Sequence, residues 1–159
     1  MMPGSRTSAA MLIAVVAVLT LAGCSQLPPF ESARDEARGE MQNVIDLLPD
    51  GSVDHVEDPI PAGFVSCGDG KQYTGRWLVH LNEPTDAAEA VRELRLRVGP
   101  AGFVEDEDLA NQDDRFGVRR EGADDAPLIG ISVDEDLDGT PYVQVLAFAR
   151  CSQAPEGTD

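Results

Sequence analysis

Apolar side chains recur every three to four positions in two stretches of the chain, and this spacing places them along one face of an α-helix. The first stretch covers residues 31–48 and stops at Pro49-Asp50-Gly51. The second begins at Thr85, the expected N-cap, and stops at Gly99-Pro100. We therefore predict two amphipathic helices, with apolar stripes formed by Ala33, Ala37, Met41, Val44, Ile45 and Leu48 in the first and by Ala87, Val91, Leu94 and Val98 in the second.

Elsewhere apolar and polar residues alternate with the period of two that indicates a strand with one buried face. Tyr73–Asn82 and Tyr142–Arg150 alternate most clearly, and Asp138-Gly139 is the strongest hairpin signal. Residues 49 to about 62 have the polar, proline-containing composition of a loop. Further strands are predicted at Phe64–Cys67, Gly102–Val104, Arg115–Glu121 and Leu128–Asp134.

This order of elements favours an α+β fold. We expect a two-layer sandwich, in which an antiparallel sheet of about five strands carries two helices on one face. A single domain is predicted at residues 31–152, followed by a flexible tail at 153–159.

The N-terminal segment has the three parts of a bacterial lipoprotein signal. Arg6 precedes an apolar run from Ala9 to Ala22, which at about 21 Å as a helix is too short to span a bilayer. Leu21-Ala22-Gly23-Cys24 resembles a lipobox, in which small residues precede the cysteine that receives a diacylglyceryl group. We predict a signal peptide at 1–23, lipid on Cys24, a tether at 24–30 and a place on the outer side of the cell membrane.

The charge balance is acidic, with 12 Lys and Arg against 29 Asp and Glu and a net charge of −17. Arg6 is the one charged residue before Cys24, so the predicted mature chain carries 11 basic and 29 acidic residues, or −18. Because nucleic acids need a basic surface, we expect no nucleic-acid partner. Basic proteins and cations remain compatible, and solubility alone also accounts for the charge.

Two cysteines remain once Cys24 is lipidated, namely Cys67 and Cys151. Outside the cytoplasm disulfides persist, and two cysteines allow one intramolecular pairing. A redox or metal-binding thiol is the alternative, although neither cysteine belongs to a Cys-x-x-Cys motif. We expect a structural disulfide.

Few residues form a pattern that points to catalysis or to a metal. Asp134, Asp136 and Asp138 are spaced as in a calcium loop, but Val145 stands where the closing glutamate belongs, so we favour an acidic hairpin turn. His55 and His80 are not spaced as metal ligands. We expect no metal and no cofactor other than the diacylglycerol on Cys24.

The last predicted strand has apolar residues on both of its faces. Val143, Val145, Ala147 and Ala149 point to one side, and the other side is partly apolar as well. An exposed apolar patch commonly marks a binding surface, unless residues 49–63 or the first helix cover it. The candidate binding face consists of Leu78, His80, Tyr142, Leu146 and Phe148.

From Cys67 onward the layout resembles the LppA-type lipoproteins of actinobacteria. The shared features are Cys67, a strand at Trp77–Leu81, a helix opening at Thr85–Val91, Gly102-Phe103, the acidic Glu107-Asp108-Leu109, and strands ending at Cys151. The resemblance implies an α+β fold with a Cys67–Cys151 bridge, and it implies no catalytic residue.

The function expected from these features is that of a lipid-anchored envelope domain, non-enzymatic, that binds a protein or ligand outside the cell or has a structural role. One alternative is an acidic inhibitor or immunity-type protein directed at a basic envelope hydrolase or toxin. A second alternative is an enzyme without a familiar motif.

Overall fold

The computed structural model describes residues 26–61, 63–109 and 114–157, so the expected signal peptide and Cys24 lie outside the described residues. Two helices and seven strands follow one another along these residues. They are α1 (Phe30–Ile45), β1 (Val53–Glu57), β2 (Phe64–Cys67), β3 (Gly70–Leu81), α2 (Ala87–Val98), β4 (Phe103–Glu105), β5 (Arg115–Arg120), β6 (Leu128–Glu135) and β7 (Pro141–Ser152).

The strands form one antiparallel sheet in the order β1-β3-β7-β6-β5-β4, and β2 pairs with the first part of β3. The α+β class is therefore confirmed, but the sheet has seven strands where about five were expected. The clearest omission is β1, which lies inside the predicted loop at 49–62. Four of its five residues are exposed, so it lacks the buried apolar alternation that identifies a strand.

Both helices lie against the same face of the sheet, as predicted. The apolar stripe of α1 contacts β3 and β7, and that of α2 contacts β5, β6 and β7. On β7 the residues facing the helices are Val143, Val145, Ala147 and Ala149, which are buried as the alternation indicated. The core therefore occupies the space between one sheet face and the two helices, and within the described residues no helix lies on the other face.

The helix ends differ slightly from the prediction. The N-cap of α2 is Asp86 and not Thr85, because the Asp86 carboxylate accepts a 2.8 Å hydrogen bond from the backbone N–H of Glu89. In α1 the helix ends at Ile45, although Leu48 in the following turn is still buried in the core.

Cys67 and Cys151 form a disulfide, with their Cα atoms 5.8 Å apart. It joins the end of β2 to β7 across the start of β3, where Gly70 lies beneath it. A Cβ atom on Gly70 would lie 2.9 Å from the Cys151 sulfur and 2.3 Å from the Ser152 carbonyl oxygen. The predicted bridge is thus present, and a glycine makes room for it.

The segment before α1 is attached to the end of β7. The backbone N–H of Gln153 donates to the Pro28 carbonyl at 2.9 Å, and its side-chain amide donates to the Leu27 carbonyl at 2.7 Å. Phe30, the first residue of α1, is buried against Phe64 and Tyr73. Within the expected tether at 24–30, Leu27 and Pro28 thus contact the chain just after β7, and Gln153, the first residue of the expected tail, makes this contact.

An ion pair joins α1 to β5, which lies next to the edge strand β4. The Arg120 guanidinium on β5 donates to the Glu40 carboxylate and to the Ala101 carbonyl, and it lies 4.0 Å from the centre of the Phe103 ring. Burial alone would raise the pKa of Glu40, but hydrogen bonds from Arg120 and Asn43, together with the Arg120 charge, outweigh it and hold that pKa below its usual value.

A carboxyl whose pKa is lowered by folding stabilises the protein above its unfolded-state pKa, and this stabilisation disappears as the pH falls through the folded-state pKa. We therefore expect Glu40→Gln to cost roughly 1–3 kcal/mol of unfolding free energy at neutral pH. The difference from the wild type should shrink in acid, as the wild-type carboxyl becomes protonated. Urea unfolding across a pH series measures this, with Glu121→Gln at an exposed turn as the control. A difference that stays constant down to low pH would contradict the role of the Glu40 charge.

Candidate functional site

The sheet face turned away from the helices carries the side chains that the sequence predicted as a binding face. Phe148 is 38% exposed, whereas Leu78 and Leu146 are half-buried. Phe148 is paired with Thr74 on one side and Leu128 on the other, which places it in the interior of the sheet and not at an edge. An aromatic ring therefore stands open to solvent in the middle of this face.

Tyr142 lies on the same face but offers no open surface, since it is only 4% exposed. Its hydroxyl accepts a 3.1 Å hydrogen bond from Arg76, and its ring centre lies 5.8 Å from that of His80. Arg76 and His80 thus lie against Tyr142. The sequence predicted Tyr142 as part of the binding face, but its side chain is buried and supports its neighbours instead of contacting a partner.

The expected covers close this face only in part. Helix α1 contacts the opposite face, whereas residues 49–63 contribute the edge strand β1 and also Ile60, which lines a hollow beside Phe148. Further partial cover comes from Leu109, in the connection between β4 and β5. A Cβ on Gly117 would lie 2.7 Å from Leu109, so the glycine allows this side chain to approach the sheet.

Three adjoining hollows surround Phe148, and its side chain lines all of them. Their volumes are about 510, 280 and 260 Å³. Leu109 and Leu128 line the first, Leu109 and Leu146 line the second, and Ile60 and Leu146 line the third. The hollows form an apolar surface divided into compartments, and each compartment is large enough for a side chain or a small group.

Arginines border these hollows. Arg119 and Arg150 line the first, and Arg76 lines the third. Acidic neighbours balance their charges: Arg150 contacts Glu36 and Asp125 at 3.0 Å each, and Arg119 contacts Asp106 at 3.3 Å.

Two donors nevertheless stay unsatisfied, because the Nε–H groups of Arg76 and Arg150 are buried and have no hydrogen-bond acceptor. Buried polar groups are normally hydrogen-bonded. The open face therefore combines apolar compartments with a border of arginines, and these two Nε–H groups lie beneath its surface.

In the acidic hairpin, the carboxylates of Asp134 and Asp136 accept hydrogen bonds from the hairpin itself. Asp136 accepts hydrogen bonds from the backbone N–H groups of Asp138 and Thr140, at 2.8 and 2.9 Å. Asp134 accepts from the Gln144 amide at 3.0 Å. The carboxylates of Asp134 and Asp136 thus hold the turn and the strands beside it, as in an ordinary acidic hairpin.

A different group of possible metal ligands lies at the edge of the same sheet face, and sequence reasoning missed it. His55 on β1 is the direct partner of His80 on β3, and their rings stack with centres 4.4 Å apart. Glu57 lies two residues along β1 from His55, on the same face. One ligand atom from each of the three side chains lies within 4.8 Å of the others. Only the pairing of β1 with β3 brings them together.

Comparisons with protein-family models, curated proteins and solved structures find no match for this chain. The resemblance to LppA-type lipoproteins therefore stays a prediction. Neither of the helices in the described part of the chain has the length and apolar content needed to cross a membrane.

Proposed function

We propose that this protein is a lipid-anchored domain of the outer cell-membrane surface that binds an extended segment of a partner protein across its open sheet face. The lipobox-like sequence at Leu21–Cys24 supports the anchor. The observation that carries the binding role is Phe148, an exposed aromatic residue that forms the shared wall of three hollows.

The shape of the face suits a peptide segment better than a single small molecule. The hollows adjoin one another, so successive apolar side chains of one segment would occupy successive compartments. Aromatic anchors with a polar surround are the common anatomy of protein interfaces. Arg76 and Arg150 border the hollows, so their guanidinium groups would form part of the polar surround of such a segment.

The acidic charge supports the alternative function of an inhibitor or immunity-type protein. Because this chain has a net charge of −17, a basic partner would associate with it faster at low salt than at high salt. The two functions therefore differ in how the affinity for the partner depends on salt. Binding centred on Phe148 is mainly apolar, so its affinity should change little with salt. The affinity of a charge-driven inhibitor should fall strongly as the salt concentration rises.

Phe148→Asp tests the proposed face. Because Phe148 is partly exposed, we expect the variant to unfold within about 0.5 kcal/mol of the wild type. A photo-crosslinking residue at position 148 should give a discrete adduct with one partner in intact cells, and Phe148→Asp should abolish binding of that partner in a purified assay.

The matched control is Leu137, a fully exposed apolar residue at the tip of the acidic hairpin. A crosslinker at position 137 should give no such adduct, and Leu137→Asp should bind the partner normally. If Phe148→Asp lowers stability by several kcal/mol, Phe148 is a core residue and the proposal fails. Equal adducts from both positions would also contradict it.

A further inference from the structure

We infer that His55, Glu57 and His80 form a binding site for a divalent transition-metal ion of the zinc class, at the β1 edge of the open sheet face. This site is independent of the proposed partner-binding surface around Phe148. Residue spacing alone indicated no metal, because His55 and His80 are 25 positions apart in the sequence.

The donor set carries the inference. The chain has two histidines, and the fold makes them direct cross-strand partners. The Glu57 carboxylate lies beside both rings, with one oxygen 4.0 Å from Nε2 of His55 and the other 3.8 Å from Nε2 of His80. Two imidazoles and one carboxylate are a ligand set that zinc uses in sites with an open fourth position. Imidazole also suits copper and nickel, so the shared chemistry is that of a borderline divalent ion.

The state of each ring favours binding through Nε2. Nε2 of His80 is buried and has no hydrogen-bond partner. Nδ1 of His55 lies 2.8 Å from the Asp54 carboxylate. When that nitrogen donates to Asp54, the lone pair of His55 is on Nε2, which lies 4.0 Å from the Glu57 carboxylate. A carboxylate that orients a metal-binding histidine in this way is a common support of metal sites.

A bound ion requires a small rearrangement. The two rings are nearly parallel, 7° apart, whereas an ion bound by both would lie in the plane of each. Zinc–nitrogen bonds of about 2.0–2.1 Å also bring the donor atoms closer together than they are here. His80 is mostly covered, but about half of the His55 side chain is exposed. His55 is therefore the ring that turns out of the stack to complete the site.

The test uses the full chain carrying Cys24→Ser, so that no free thiol competes for metal. It is titrated with Zn²⁺ at mildly alkaline pH, because protons compete with the metal ion for its ligand atoms. We expect one ion per chain with a dissociation constant in the micromolar range by calorimetry. Because the chain has two histidines, both imidazole signals in the proton NMR spectrum should shift together, and a chelator should restore them.

Variants of the ligands decide the assignment. His80→Gln should raise the dissociation constant at least tenfold, and Asp54→Asn should weaken binding by roughly tenfold through the orientation of His55. If His80→Gln does not fold, His55→Asn at the exposed ring replaces it. Asp134→Asn, which removes a carboxylate from the same face, and Phe148→Asp should both bind Zn²⁺ like the wild type. Binding no tighter than millimolar, or binding that persists without either histidine, would overturn the site.

Discussion

Reduction of the Cys67–Cys151 disulfide is expected to lower the melting temperature by roughly 6–16 °C. The bridge spans a sequence separation of 84 residues, and a loop of that length restricts the unfolded chain enough for at most about 4–5 kcal/mol of stabilisation. Reduction frees the end of β2, a four-residue strand whose sheet partner is β3. Calorimetric melting with and without reductant measures the effect.

The reference for this experiment is the double variant Cys67→Ala/Cys151→Ala. It should melt close to the reduced wild type and should show no response to reductant, which separates loss of the bridge from other effects of the reagent. Free thiols are also titrated in the oxidised, folded chain. This measurement uses a Cys24→Ser variant, so that it reports on Cys67 and Cys151 alone. Two titratable thiols in the oxidised, folded chain would refute the disulfide.

Replacing Cys24 by Ser is expected to remove the protein completely from the membrane fraction or to leave it unprocessed. Two acyl chains contribute about 0.8 kcal/mol per buried methylene, so an acylated chain stays anchored and an unacylated one does not. Detergent phase partitioning of cell extracts, with metabolic labelling by a fatty acid, distinguishes these outcomes.

Gln26→Ala is the control for this change, since it alters an exposed residue two positions further on and should remain in the detergent phase. If the Cys24→Ser variant is still cleaved and still carries the fatty-acid label, the lipobox interpretation is wrong.

Features with a strong local signal could be predicted from the sequence. The helices were recognised because their apolar stripes face a single core, and β7 was recognised because Val143 to Ala149 alternate between a buried and an open face. The disulfide followed from counting, since two cysteines allow one pairing. Each of these inferences needs only neighbouring residues or a residue count.

Features that depend on pairing between distant segments could not be predicted in this way. Strand β1 has the sequence Val-Asp-His-Val-Glu and is mostly exposed, so its extended form depends on its ladder with β3. The contact between His55 and His80 exists only through that ladder. A sequence that gives no sign of β1 therefore gives no sign of the metal ligands that β1 brings together.

The binding face was predicted only in part, for a related reason. Alternation places Tyr142, Leu146 and Phe148 on one face, but it does not say which of them a distant side chain covers. Arg76 and His80 lie against Tyr142, and Leu109 approaches the sheet over Gly117, while Phe148 stays open. The exposure of a side chain on a sheet face depends on such contacts with distant residues, and these contacts leave no periodic pattern in the sequence.

The attachment of Leu27 and Pro28 to Gln153 sets how the domain would stand on a membrane. If Cys24 carries the lipid, three residue steps separate it from Leu27, a reach of about 10 Å at most. The disulfide end of the sheet would then be the end nearest the bilayer, and the opposite end of the 12-residue β7 lies roughly 37 Å from it. Phe148 would lie within about 25 Å of the lipid surface. A partner of that face must therefore itself be close to the membrane, while His55 and His80 at the far end of the sheet would remain open to the surrounding medium.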